Sequence, residues 1–89
     1  MKLTIGCIVH VKGAIVTSNG TDVAPAIVTR VWAPHDTLDA PVMVNCTAFL
    51  DLSGPQHLGS VMVYDTEEEA LSHYDGRSAV AYWPPRAAA

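Results

Sequence analysis

Apolar and polar positions alternate along several short stretches of this chain, and each stretch predicts a strand. "CIVHVK", from Cys7 to Lys12, is β-branched and partly alternating, which predicts a first strand. The "AIVT" that follows Gly13 either prolongs that strand or forms a ragged hairpin arm. "SNGTD", Ser18 to Asp22, carries Asn19-Gly20, the strongest short-range turn signal, because both residues tolerate positive φ. "PAIVTRVW", Pro25 to Trp32, is the clearest strand, with Pro25 at its first position, where no ladder donor is lost. "APHDTLDAP", Ala33 to Pro41, is a loop bounded by prolines. "VMVNCTAFLD", Val42 to Asp51, is a third strand. Val42, Val44, Cys46, Ala48 and Leu50 share one of its faces, and Met43, Asn45, Thr47 and Phe49 share the other. "LSGPQHLG" reads as a turn, and "SVMVYD", Ser60 to Asp65, as a fourth strand.

The period then changes. In "TEEEALSHYDG", Thr66 and Glu69 form a capping box, and carboxylates in a first turn suit the helix dipole. Gly76 is expected to end this helix after one or two turns. "SAVAYW", Ser78 to Trp83, is a fifth strand stopped by Pro84 and Pro85. The expected architecture is therefore mostly all-β: a small five-stranded SH3-like barrel with one short helical turn before the last strand. An OB-type barrel fits less well, since its helix would follow strand three, where this chain has only "SGPQH". Residues 1–86 are expected to form a single domain, with 87–89 a disordered tail.

Composition adds an expectation about assembly. Only 16% of the residues are charged and 49% are apolar, whereas an ordinary soluble domain is about 25% charged. That leaves more apolar material than one small core needs, so a homo-oligomer is expected. The formal net charge is −4, and the basic residues Lys2, Lys12, Arg30, Arg77 and Arg86 are scattered. The lack of a concentrated basic face argues against a nucleic acid polymer as partner, while a small anion held by a few arginines remains open. Cys7 and Cys46 lie inside apolar stretches and read as buried free thiols, with a disulfide between them the alternative if their Cα atoms come close. "MKLTIG" lacks the apolar core of a signal peptide, and no apolar run approaches a membrane span, so no membrane partner and a cytoplasmic location are expected.

The candidate chemistry is that of binding. His10, His35, His57 and His73 have no finger or zincin spacing, and Cys7 and His10 point to opposite strand faces, so no metal and no cofactor are expected. There is no nucleophile elbow, no glycine-rich phosphate loop and no cysteine at a helix start. An enzyme is therefore not expected; a catalytic reading would have to use His10 or His35 as base. The notable set is polar and aromatic. Arg30 and Trp32 sit two apart on a strand and face the same way. Asn45 lies on strand three, Tyr64 ends strand four, and Tyr82 and Trp83 end strand five with Arg77 and Arg86 flanking. Together with His10 these are the candidate ligand-binding residues. They form either a pocket that stacks a flat ring and holds phosphate, or a set of aromatics that plugs the barrel ends or fills a dimer seam, with Arg30 paired to an acid.

The blocks "GCIVHV", "APAIVTRVW", "VNCTAFLD", "GSVMVYDTEEEA" and "AYWPPR" follow one another in an order that resembles a group of short proteins encoded by bacteriophages and prophages. Those share strands like "IVHYV", "RPAIVTRVW" and "VNLQVF", a segment like "SVPYSEE" and a close like "GTWHWPPR". The resemblance covers most of the chain and departs in the last block, where "SAVAYWPP" stands for "GTWHWPP". It implies a phage origin and a small β-barrel accessory protein acting in the host bacterial cytosol. By analogy with anti-defence sponges, the ligand it implies is a small anionic nucleotide signal of host immunity. A phage structural or protein-interaction module, binding a host or virion protein through its aromatic surface, is the alternative.

Overall fold

The computed structural model describes residues 3–32 and 41–84. Five strands, β1 (Ile8–Lys12), β2 (Val23–Val31), β3 (Val42–Phe49), β4 (Pro55–Tyr64) and β5 (Val80–Tyr82), close into a barrel in the order β1-β2-β3-β4-β5. This is the expected small barrel, with one short helix, α1 (Glu67–His73), before the last strand. Neighbouring strands run antiparallel except β4 and β5, which are parallel and joined through α1. A parallel pair cannot be joined by a tight turn, and α1 supplies the crossover.

The alternation in the sequence sorts residues as it predicts. Val9, Val11, Ala26, Val28, Val44, Cys46, Ala48, Val63 and Ala81 point inward and are buried, and Leu3 joins them. Because these side chains are small, one layer of them fills the barrel. Asn19 and Gly20 have φ of 50° and 86° between the bridged Ser18 and Thr21, the two-residue turn that Asn-Gly favours. The Thr66 hydroxyl accepts the Glu69 N–H, so the helix cap is as expected.

Several boundaries differ from the sequence reading, each for a local reason. "AIV" is a 3-10 turn, not strand, because the β1–β2 ladder closes where Gly13 N–H donates to the Asp22 carbonyl. Pro25 is the third residue of β2, opposite His10, but the β2–β3 ladder begins only at Ala26, so the missing donor breaks no bond there. The largest difference is β4. Its first half, Pro55 to Gly59, reads as a turn by propensity but pairs with β3 from Phe49 back to Cys46, and pairing overrides weak strand formers. The helix ends at His73 with Tyr74 in an extended conformation, and Gly76 takes its positive φ three residues later, in the turn into β5. β5 itself is only three residues long. The expectations for the 33–41 loop (apart from Pro41), for His35, Pro85 and Arg86, and for the 87–89 tail lie outside the described residues.

Both cysteines are free thiols. Cys46 is buried, and desolvation pushes its thiol up to about 11. Cys7 is only partly covered and contacts the Thr4 hydroxyl at 3.3 Å. In native buffer a thiol reagent is expected to modify Cys7 and spare Cys46 until the protein unfolds. Equal rates at both positions would contradict the buried placement of Cys46.

Candidate functional site

The outer surface of the barrel has two sides. On one, α1 lies over the ends of β4 and β5, so that Tyr64, Val80 and Tyr82 are buried with Ala70, and Met62 and Tyr74 pack at the margin. The Tyr64 ring stacks on His73 at 4.8 Å, the Tyr82 hydroxyl donates to Glu67 Oε2 at 3.3 Å, and His10 meets the Tyr82 ring edge-on at 5.7 Å. Burial and the neighbouring Glu67 carboxylate both hold the Tyr82 phenol protonated above its usual range. Lys12 closes this side, donating to Asp22 at 2.6 Å and lying over the Tyr74 ring. That hydrogen bond raises the Lys12 pKa and lowers that of Asp22.

The other side, formed by β1, β2, β3 and the first half of β4, is not covered by any other described element. Its centre is Asn45. Both strands flanking β3 carry one extra residue there: the register shifts between Val28 and Arg30 on β2, and opposite Asn45 on β4, where Gly59 and Ser60 face one residue. Each bulge reverses the in-out parity of its strand. On β2, Ile27 and Arg30 are therefore both exposed, and on β4, His57 and Ser60 are. Ser60 takes a left-handed φ of 56° at its bulge. Its N–H, turned out of the regular ladder, donates to Asn45 Oδ1 at 3.0 Å. The same oxygen accepts the indole N–H of Trp32 at 2.8 Å. Trp32 in turn carries the Arg30 guanidinium over its ring at 3.9 Å. One side-chain amide thus ties both bulges and orients a cation–π pair. Arg30 stacks on Trp32 and has no acidic partner among the described residues.

Next to this centre lies a groove of about 360 Å³. It forms because β5 pairs with β4 only along Met62 to Tyr64, so the edge of β4 from His57 to Val61 has no strand beside it. Ile15 and the Arg77–Ala79 segment form the facing wall. The groove offers the Arg77 cation, the Ser60 and Ser78 residues and His57 beside apolar Leu58, Val61 and Ala79, and among the described residues no carboxylate lines it. Asp75 fixes the Arg77 turn by accepting the N–H groups of Arg77 and Ser78 at 2.8 and 2.9 Å, which holds its carboxyl below the usual range. His57 is braced by Thr47, whose hydroxyl lies 3.0 Å from Nδ1.

The candidate residues read from the sequence therefore do not form one constellation. Arg30, Trp32 and Asn45 come together on the open face. His10, Tyr64 and Tyr82 gather on the side that α1 covers. Arg77 stands in the groove. Trp83 is half-buried against the main core, and its Nε1 is buried with no partner among the described residues. Arg86 lies outside the described residues. The sequence reading missed His57, Ser60 and Ser78, because the groove exists only where β5 stops short of β4. Gly59-Ser60, at the junction of "QHL" and "VMV", was the available signal, since a Gly within a strand marks a bulge.

Among the described residues no group of three His, Cys, Asp or Glu side chains is placed to hold a metal ion, and no helix is long and apolar enough to cross a membrane. No protein-family model matches this chain, and no curated protein or solved structure matches it significantly.

Proposed function

We propose that this chain is a non-enzymatic, phage-encoded binding protein that sequesters a small anionic nucleotide signal of the bacterial host. The observation that carries this reading is the groove beside Arg77. Its volume of about 360 Å³ falls in the range of small-molecule sites. Its described lining combines one cation, hydroxyl groups and an apolar floor, with no carboxylate among those residues to repel phosphate. The Arg30–Trp32 pair, beyond Ser60 and Asn45, is a second place where a cation and a flat ring are presented together. Capture needs only these groups; the histidine beside the groove, His57, is bound to Thr47.

Calorimetry against a panel of cyclic mononucleotides, cyclic dinucleotides and ADP-ribose derivatives tests this reading. Binding of at least one class is expected, with Arg77→Ala weakening it about tenfold or more through loss of a charged hydrogen bond. The ligand is expected to return chemically intact when the protein is denatured; a converted product would mark an enzyme. Absence of heat with every nucleotide would sink the proposal. The second reading, a structural or protein-interaction module, draws on the apolar outer face of β1 to β3, and finding the chain in purified virions would favour it.

A further inference from the structure

The outer face of β1, β2 and β3 carries more apolar surface than a solitary small barrel leaves open. Ile8 stands directly across from Ile27, and Ile27 across from Thr47. Phe49 follows Thr47 on the same face of β3, and Met43 lies on that face beyond Asn45, where its carbonyl accepts the Trp32 N–H. The exposures are 54% for Ile8, 38% for Ile27, 47% for Trp32, 39% for Met43 and 47% for Phe49. Single exposed apolar residues are ordinary, but adjoining ones on neighbouring strands form a patch.

We propose that this face is the seat of a second copy of the chain, docked about a two-fold axis. Two observations select that occupant. The first is area. Those five side chains together expose roughly 450 Å², and a standard interface buries about 800 Å² per partner, of which about 60% is apolar. The patch therefore matches what one stable dimer contact needs. The second is charge. Arg30 is the one formally charged residue on the outer faces of β2 and β3, and it is spread over the Trp32 ring. The described carboxylates lie elsewhere: Asp22 beside Lys12, Asp51 in the β3–β4 turn, and Asp65 to Asp75 around α1. In a two-fold contact each patch meets itself, and the patch of Ile8, Ile27, Phe49, Met43 and Trp32, which among the described residues holds no carboxylate and one delocalised cation, does so with little repulsion. A chain of net charge −4 whose described acids lie off this patch is suited to self-contact there.

Arg77 and Ile15, on the far wall of the groove, lie off this face, whereas the Arg30–Trp32 pair would be covered by the contact, so the two proposals are tested by different variants. Light scattering and native mass spectrometry of the full chain test it. Wild type is expected to run as an even-numbered assembly. The double variant Ile8→Thr/Ile27→Thr, which keeps β-branched strand formers, is expected to dissociate with a dimer constant weakened about 100-fold or more. Unchanged circular dichroism would show that it still folds. Ile15→Thr and Leu71→Ser remove exposed apolar groups elsewhere and are expected to leave the mass unaltered. Monomeric wild type at high micromolar concentration would overturn the proposal, as would a double variant that keeps the wild-type mass. Dissociation by the Ile15 or Leu71 variant alone would move the interface off this face and overturn it equally.

Discussion

Gly13→Ala is expected to destabilise the barrel by about 1–3 kcal/mol, the usual cost of overpacking. A Cβ at this position would lie 3.0 Å from the Ala79 Cβ and 3.1 Å from its Cα. The second of these is backbone and cannot swing aside. Gly13 has an extended φ of 169°, which any residue adopts, so the cost comes from space alone. The segment that must give way leads directly into β5, which closes the barrel with only three residues. In a domain of this size the loss corresponds to a fall in Tm of about 4–8 °C per kcal/mol. Because Ala79 also lines the groove, the variant is expected to weaken ligand capture together with stability. Adding Ala79→Gly removes the nearer clash, and the pair is expected to recover part of the lost Tm, a positive coupling in a double-mutant cycle. A Gly13→Ala protein that melts like wild type would show that β1 and β5 do not approach as closely as described.

Asn45→Ala is the second large effect, about 2 kcal/mol. It removes two hydrogen bonds and leaves the Ser60 N–H and the Trp32 indole without their acceptor. The damage is expected to be local to the bulges: Trp32 fluorescence should change as the ring leaves its bracket, while the α1 side stays intact. Asn45→Asp is the informative companion. A carboxylate keeps the accepting oxygen, so this variant is expected to be near wild type at neutral pH. Two donors would depress its folded pKa below the unfolded value. Its contribution is then present above about pH 4 and lost as pH falls through the folded value, a loss wild type does not share at this position. Urea unfolding at neutral and acid pH reads both variants. If Asn45→Ala and wild type unfold at the same urea concentration, Asn45 does not hold the bulges.

The barrel was legible because its core is built by simple alternation. In β3 the period of two runs without interruption, so Val42 to Ala48 sorted correctly into inner and outer faces. Asn-Gly and the Thr66 helix cap are local devices whose chemistry is complete within four residues, and both stand where expected, although of the Thr66–Glu69 box only the bond from the Glu69 N–H to the Thr66 hydroxyl is formed. That Arg30 and Trp32 face the same way was legible for the same reason, while the stacking of one on the other was not. The start of β4 was not legible. Pro55, Gln56 and Gly59 are poor strand formers, and their pairing with β3 comes from across the hairpin.

The sequence by itself determined the strand count, the place of the helix, and which residues of the regular strands face the core. Those properties depend on side-chain period and local capping, and both are written in consecutive residues. Only the tertiary structure decided how the aromatic and basic residues are shared out. Tyr82 and Trp83 are neighbours in the chain but separate in space: Tyr82 goes under α1, and Trp83 packs on the main core. Arg30 and Arg77 lie on opposite sides of the Ser60 bulge, one on the open face and one in the groove. Two bulges around a single asparagine, a last strand too short to cover its neighbour, and a helix that covers only one side of the barrel made those assignments. Each depends on contacts between residues far apart in the chain, whose energy no local pattern encodes.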